Sequence, residues 1–175
     1  MTNMIKRLRQ ERRRVKRYSE LLTDEMKRVV EKQRLGFVAT VCADGTPNLS
    51  PKGTLRVLDD DHLMFADIRS PGTVANLRTN PGIEVNVVDP FVRKGYRFKG
   101  RAKVLDAGPE FDRLAALYST PELSDAPRRI RAMVVVRVEE TRPLISPAYD
   151  RETDEAAMRA RWTQYYLDAE NRSSR

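Results

Sequence analysis

The stretch LGFVATVCADGTPNLSP, from Leu35 to Pro51, decides the fold class. Its apolar residues alternate with small or polar residues at a period of two, which is typical of a strand that buries one face. Asp44 and Gly45 interrupt this alternation, and an Asp-Gly pair supplies the positive φ angles that tight hairpin turns need. The sequence therefore predicts a β-hairpin in this stretch.

The same design continues along the chain. GTLRVLDDDHLMFAD predicts a second hairpin, which turns at three consecutive aspartates. Three further strands are predicted in IEVNVVD, GYRFKGRAKVL and RAMVVVRVEE, with a helical insert in PEFDRLAALY. SELLTDEMKRVVEKQ predicts a preceding helix capped by Ser19 or Thr23. Six or so strands joined by hairpins, with short helices outside, indicate a small antiparallel barrel of the mainly β class.

Length and composition limit the function classes. A chain of 175 residues suits one domain with appended helices. Cys42 is the only cysteine and His62 the only histidine, so one chain can build neither a disulfide framework nor a His/Cys metal cluster. We expect Cys42 to pack as a small buried thiol. Neither a signal-peptide core nor a membrane-spanning apolar run is found, so we expect a cytoplasmic protein without a membrane partner.

The net charge of +8 is concentrated at one end of the chain. Residues 1–17 hold eight Lys or Arg residues against Glu11 alone, a net charge of +7. We therefore divide the chain into a basic arm at 1–18, a barrel domain at 19–148 and a C-terminal helical segment at 149–175. Such an arm is consistent with a solvated or disordered tail, a nonspecific anchor for nucleic acid, or a start site placed too far upstream.

The stretch ADIRSPGTVANL follows the second hairpin and predicts a strand-to-helix bend. Ser70 stands at the expected N-cap and Pro71 at the first helical position. Unpaired N–H groups at a helix start, with the Ser70 and Thr73 hydroxyls and the Arg69 cation, would form an anion site, and Gly72 would let a ligand approach closely. The alternative is an ordinary capped helix whose Pro and Gly only mark a turn.

A second cationic segment, LSPKGTLRV, raises the case for a ligand site. Pro51 and Gly53 flank Lys52 and interrupt a predicted strand, so backbone donors and acceptors are left for a planar heterocycle. The strand GYRFKGRA alternates an aromatic face with a basic face that contains Arg97, although a solvated surface strand explains this pattern equally well. The terminal aromatic residues either cover a partner's cleft or anchor the last helix to the barrel: Tyr149, Trp162, Tyr165 and Tyr166.

Together these segments resemble the flavin-binding split barrels related to pyridoxamine phosphate oxidase. The resemblance runs from about Thr23 to Val138 and is carried by LGFVATVCADGTPNLSPKGTLRV, LMFADIRSPGTVANLRTNP and NVVDPFVRKGYRFKGRAKVL. It implies a homodimer of six-stranded antiparallel split β-barrels with flanking helices. It also implies FMN in two symmetric clefts between subunits, although the deazaflavin coenzyme and heme occupy relatives of this barrel. The domain at 19–148 would then be the FMN-binding split barrel.

The resemblance also implies which residues hold the cofactor. One segment would lie along the ring and ribityl chain, and the bend would receive the phosphate, with Arg97 of either subunit assisting. The residues so assigned are Ser50, Pro51, Lys52, Gly53, Thr54, Asp67, Ile68, Arg69, Ser70, Thr73, Asn76 and Arg97. No catalytic residue and no metal ligand is assigned.

Two departures from the family pattern restrict the predicted activity. Gly72 and Thr73 stand where the oxidases carry an Arg-Lys pair, and the oxidases' C-terminal Trp-to-Arg motif has no counterpart. The vitamin B6 substrate is therefore not transferred. We expect an FMN-binding oxidoreductase that moves a hydride or electrons to or from a small molecule. Two alternatives stay open: a flavin, deazaflavin or heme carrier without turnover, and a barrel that binds nucleic acid through its basic arm.

Overall fold

The computed structural model describes residues 21–119, 129–151 and 154–173, and these form one antiparallel sheet with helices outside it. The strands are β1 (Gly36–Val41), β2 (Pro47–Lys52), β3 (Arg56–Val57), β4 (His62–Asp67), β5 (Gly82–Asp89), β6 (Lys94–Leu105) and β7 (Ala132–Ile145). The helices are α1 (Asp24–Gln33), α2 (Pro71–Thr79), α3 (Pro109–Ala116) and α4 (Glu155–Ser173), and a short 3-10 helix covers Pro147–Arg151. The predicted basic arm at 1–18 lies outside the described residues.

The first predicted hairpin is confirmed. β1 and β2 pair in register from Val41 opposite Pro47 to Gly36 opposite Lys52. In the turn, Gly45 has φ +83°, and the Thr46 backbone amide donates to Asp44 Oδ1 at 3.0 Å. The positive φ is the conformation that glycine adopts without steric cost.

The sheet curls until its two edges approach each other. Its strand order is β2-β1-β5-β6-β7-β4-β3, so β2 and β3 occupy opposite edges although only residues 53–55 separate them in the chain. Four residue steps of at most about 3.5 Å each keep the facing ends of these edges within about 14 Å. The antiparallel split barrel is thus confirmed. A two-residue β3, paired with β4, makes seven strands where six were expected.

The inward face of the curled sheet forms the main hydrophobic core. α1 covers part of this core with its buried Val30, and Leu22, just before the helix, is buried there too. The predicted cap of α1 is confirmed, because Thr23 Oγ1 accepts a hydrogen bond from the Met26 amide at 3.3 Å. The large apolar side chains that are fully buried in this core include Leu63, Phe65 and Phe98 of the sheet and Leu55 from the segment between β2 and β3.

The predicted helical insert, observed as α3, packs a second cluster against the sheet. Leu114 and Tyr118 are buried there against Met64 of β4 and Met133 of β7. The Tyr118 hydroxyl donates to the Thr54 carbonyl oxygen at 2.8 Å, and burial raises the pKa of this phenol above its ordinary value. The segment between β2 and β3 is therefore tied to α3.

The paired strands β6 and β7 contain a register shift between Lys99 and Gly100. At Gly100 the neighbouring strand comes so close that a Cβ atom would lie 1.9 Å from the Arg137 carbonyl oxygen. Only glycine fits there without displacing the backbone. The expected alternation along β6 is observed, with Phe98 fully buried and Lys99 exposed.

The C-terminal segment is held to the turn between β5 and β6. The Tyr149 hydroxyl donates to the Val92 carbonyl oxygen at 2.6 Å, and the Arg93 guanidinium lies 3.5 Å from the centre of the Trp162 ring. Phe91 meets Tyr166 edge to face at 5.6 Å between ring centres. These contacts within one chain support an anchoring role for the terminal aromatic residues. In the described part of the chain, no helix is long and apolar enough to cross a membrane.

Candidate functional site

A groove of about 330 Å³ opens at the edge of the barrel where β2 ends. It brings together the two segments that the sequence analysis singled out, the end of β2 with the residues after it and the end of β4 with the bend after it. We call it the Lys52 groove. It is lined by Ser50, Pro51, Lys52, Gly53, Thr54, Ala66, Ile68, Arg69 and Ser70.

A threonine joins the two segments. Thr54 Oγ1 donates to the Ala66 carbonyl oxygen at 2.7 Å and accepts from the Ala66 amide at 3.1 Å. This pair of bonds replaces the sheet pairing that would otherwise satisfy the end of β4. The groove is therefore held in shape by these bonds between the Thr54 side chain and the Ala66 backbone before any ligand enters.

Lys52 forms the floor of the groove and is only 5% exposed. Its Nζ donates to Ser50 Oγ at 2.6 Å and to Ser70 Oγ at 2.7 Å, and lies 5.7 Å from the centre of the Phe65 ring. Burial lowers the pKa of Lys52, and the negative charge of Asp67 opposes that change. A buried amine with two hydroxyl partners is a group whose charge responds to what occupies the groove.

The bend after β4 is organised by Asp67, whose carboxylate is buried. Asp67 Oδ1 accepts from the Ser70 amide at 2.8 Å and also from the Ser70 hydroxyl. Ser70 stands at the N-cap of α2 as predicted, but its side chain does not cap the helix. Its hydroxyl instead links Asp67 to Lys52, which leaves the start of α2 without a side-chain cap.

A free cation stands at the rim of the groove. Arg69 is exposed and has no ion pair or hydrogen bond within the ranges that the structure describes. Nearby, a Cβ atom added at Gly72 would meet no atom within 4 Å, so the start of α2 is open to a ligand. An unpaired guanidinium beside an uncapped helix start can hold an anion.

An apolar sheet surface borders the groove. Three cross-strand pairs of β1 and β2 share this surface: Phe37 with Pro51, Ala39 with Leu49, and Val41 with Pro47. We call these six residues the outer apolar face. Phe37, Val41 and Leu49 are 43%, 42% and 65% exposed. Because they stand on adjacent paired strands, they form a contiguous apolar patch, which is typical of an interaction surface. Pro51 belongs to both the face and the groove.

Comparison with known proteins identifies the family of this chain. The family model described as pyridoxamine 5'-phosphate oxidase matches residues 22–144. The chain belongs to this family. No curated protein matches the chain.

Solved structures of similar proteins agree with this membership. HupZ of Group A Streptococcus is 31% identical, with 71% of this chain and 94% of that one covered and a TM-score of 0.63. An FMN-binding protein of Syntrophomonas wolfei shares the fold at 18% identity, 80% and 96% coverage and a TM-score of 0.61. An F420 reductase also shares the fold, at 21% identity and a TM-score of 0.53, with 69% of this chain and 98% of that one covered.

Most of the site residues assigned through the resemblance to this family lie together. All five from the first segment line the Lys52 groove, as do Ile68, Arg69 and Ser70, and Asp67 supports Ser70 from behind. The remaining three do not line it. Thr73 is buried and accepts from Asn48 at 3.3 Å, and Asn76 donates to Thr40 at 3.1 Å, so both hold α2 on the first hairpin.

Arg97 lies on β6, where its Nε is 2.9 Å from Glu84 Oε1. In its own chain it therefore belongs to the sheet surface and not to the groove. Its assignment to a partner's site stays a prediction. Cys42 is partly exposed rather than buried, because it lies just past the end of β1, where the Asn76 amide donates to its sulfur at 3.4 Å.

Two contributions to the site were absent from the sequence analysis. Ala66 lines the groove and is bonded through its backbone, which no side-chain pattern reveals. Asn48 joins Thr73 and Thr40 beneath α2. Its spacing of two from Ser50 along β2 was a usable signal, because residues at that spacing share one face of a strand.

Proposed function

We propose that the Lys52 groove binds FMN and that the protein is a flavin-dependent oxidoreductase acting on a small molecule. The observation that carries this proposal is the convergence of a buried lysine segment and an open helix start in one groove. Family membership and the likeness to an FMN-binding protein agree with it.

The residues of the groove fit the parts of FMN. Arg69 and the uncapped start of α2 suit the phosphate, because both offer donors to a permanent anion. Among the residues that the structure describes, no strand pairs with the edge of β2 that faces away from β1, so its backbone groups can pair with the ring. Bound flavin would supply the hydride or electron transfer, and the protein would orient it and exclude water.

We further propose that two copies of the chain pair through the outer apolar face, with the cofactor at their boundary. Phe37, Leu49 and Val41 are exposed within the described part of one chain, and an interface would remove them from water. Because Pro51 joins the face to the groove, a second copy seated there would border the groove. It would thereby cover the exposed side of a bound ring.

The purified protein tests this proposal directly. We expect flavin absorbance in the protein as isolated, or uptake of one FMN per chain after any bound ligand has been removed. Riboflavin should bind more weakly than FMN, because it lacks the phosphate that Arg69 would hold. A colourless protein that takes up no added FMN would contradict the proposal.

A cofactor carrier is the second candidate. The chain shares its fold with both an FMN-binding protein and a reductase, so an experiment must distinguish cofactor binding alone from catalytic turnover. An enzyme would reoxidise its reduced flavin faster in the presence of a substrate, whereas a carrier would not. The deazaflavin coenzyme should be titrated alongside FMN, because the F420 reductase has the same fold.

Nucleic-acid binding through the basic arm is the remaining hypothesis. It predicts copurifying nucleic acid and an affinity that falls steeply with salt. Deletion of residues 1–17 should abolish that affinity and leave FMN uptake unchanged. Loss of FMN uptake on this deletion would instead assign the arm to the flavin site.

A further inference from the structure

The two cations that line the Lys52 groove differ in environment. Arg69 is exposed at the rim and has no partner in the part of the chain that the structure describes. Lys52 is 5% exposed at the floor, and Ser70 connects it to the buried carboxylate of Asp67, which is 3% exposed. A charge at the rim is screened by water and salt, whereas a charge at the floor acts through protein.

Lys52 and Asp67 depend on each other for their charges. A buried carboxylate without a cation nearby, or a buried ammonium without an anion, is strongly destabilising. Ser70 bridges the two, because its hydroxyl donates to Asp67 and accepts from Lys52. Burial lowers the pKa of Lys52, and the negative charge of Asp67 acts in the opposite direction and favours the protonated amine at the floor of the groove.

The Lys52 ammonium has one more N–H donor than it has hydroxyl acceptors among the described residues. It carries three protons, and among the described residues two hydroxyl oxygens accept from it. The Phe65 ring, 5.7 Å away, is a weak alternative for the third. The floor of the groove thus offers a buried positive charge with a spare donor to a ligand.

We propose that Lys52 makes the groove favour the reduced form of a bound flavin, an inference that rests on the proposed FMN binding. A hydride brings two electrons and one proton to the neutral oxidised ring and leaves an anionic reduced ring, with no bond to the protein. A buried cation interacts more strongly with charge that develops on a ligand than an exposed cation does. Lys52 therefore changes the affinity for reduced flavin relative to that for oxidised flavin. Arg69 binds the phosphate, which is the same in both redox states.

The test compares dissociation constants for oxidised FMN and for dithionite-reduced FMN, measured without oxygen. Lys52→Met should weaken the binding of reduced FMN by at least about tenfold more than that of oxidised FMN. Arg69→Met is the matched control, because it removes the rim cation and should weaken both forms by the same factor. Equal losses in Lys52→Met would overturn the inference.

Failure of this inference and failure of the proposed function give different results in these titrations. If the unmodified protein binds neither form of FMN, the proposed function itself is wrong and this inference with it. Lys52→Met alone leaves Asp67 buried without its cation, which destabilises the fold, so Lys52→Met/Asp67→Asn removes both charges together. The double variant should show a smaller selective loss for reduced FMN, because removal of the Asp67 anion offsets part of the lost positive charge. An unchanged ratio of the two constants in it would overturn the inference.

Discussion

Replacing Leu49 should break the proposed pairing of two chains. Leu49 is 65% exposed at the centre of the outer apolar face. Burying a whole leucine side chain contributes about 1.5–3 kcal/mol, so covering the exposed part contributes roughly 1.5 kcal/mol per chain. A twofold interface uses the same patch twice, so Leu49→Ser should cost about 3 kcal/mol of dimer stability. That loss corresponds to a roughly 100-fold rise in the dimer Kd.

Sedimentation velocity over a series of protein concentrations measures this change. Leu167→Ser is the matched control, because Leu167 is 50% exposed on α4 and lies outside the outer apolar face. The control should dimerise like the unmodified protein, and thermal unfolding should show that both variants fold. The reasoning is refuted if Leu49→Ser dimerises as tightly as the control, or if both variants weaken the dimer equally.

Three further predictions concern the groove and the fold. Arg69→Ala should weaken FMN binding about tenfold or more and leave riboflavin binding nearly unchanged, as fluorescence titration would show. Gly100→Ala should lower the free energy of unfolding by about 2 kcal/mol or more, because its Cβ would lie 1.9 Å from a carbonyl oxygen. Gly72→Ala is the control and should not lower it, because a Cβ atom there meets no described atom within 4 Å. Urea unfolding measures both changes. Burial opposes ionisation of Asp89, but backbone amides and two cationic side chains hold its pKa below the ordinary value. This stabilisation is present above about pH 4 and lost as pH falls through the lowered pKa, so Asp89→Asn should flatten the acid limb of the stability–pH curve.

The hairpins, α1, α3 and the position of the bend could be predicted because each is encoded by neighbouring residues. Asp44 and Gly45 specify a turn wherever they stand between alternating strands, and Thr23 caps α1 through a bond to a residue three positions away. Such signals act over a few residues and do not depend on the rest of the chain. The second predicted hairpin is observed as β3 and β4, but only two residues of β3 pair with β4.

The chemistry of the groove was less predictable than its location. Ser70 was expected to cap α2 or bind an anion, yet its hydroxyl is engaged by Asp67 and Lys52. Thr73 and Asn76, whose assignment to the cofactor stays a prediction, hold α2 on the first hairpin. A sequence shows which groups can donate or accept, but the partner that each one finds depends on distances set by the whole fold.

The sequence by itself determined the antiparallel β class, the cap of α1 and the two segments that carry donors and cations. Only the tertiary structure decided that those segments meet, because the curl of the sheet brings the end of β2 beside the end of β4. It also decided that Lys52 is buried with Asp67 while Arg69 stays exposed. Local patterns depend on bonds between near neighbours, whereas burial and charge pairing depend on which distant residues the folded sheet places in contact.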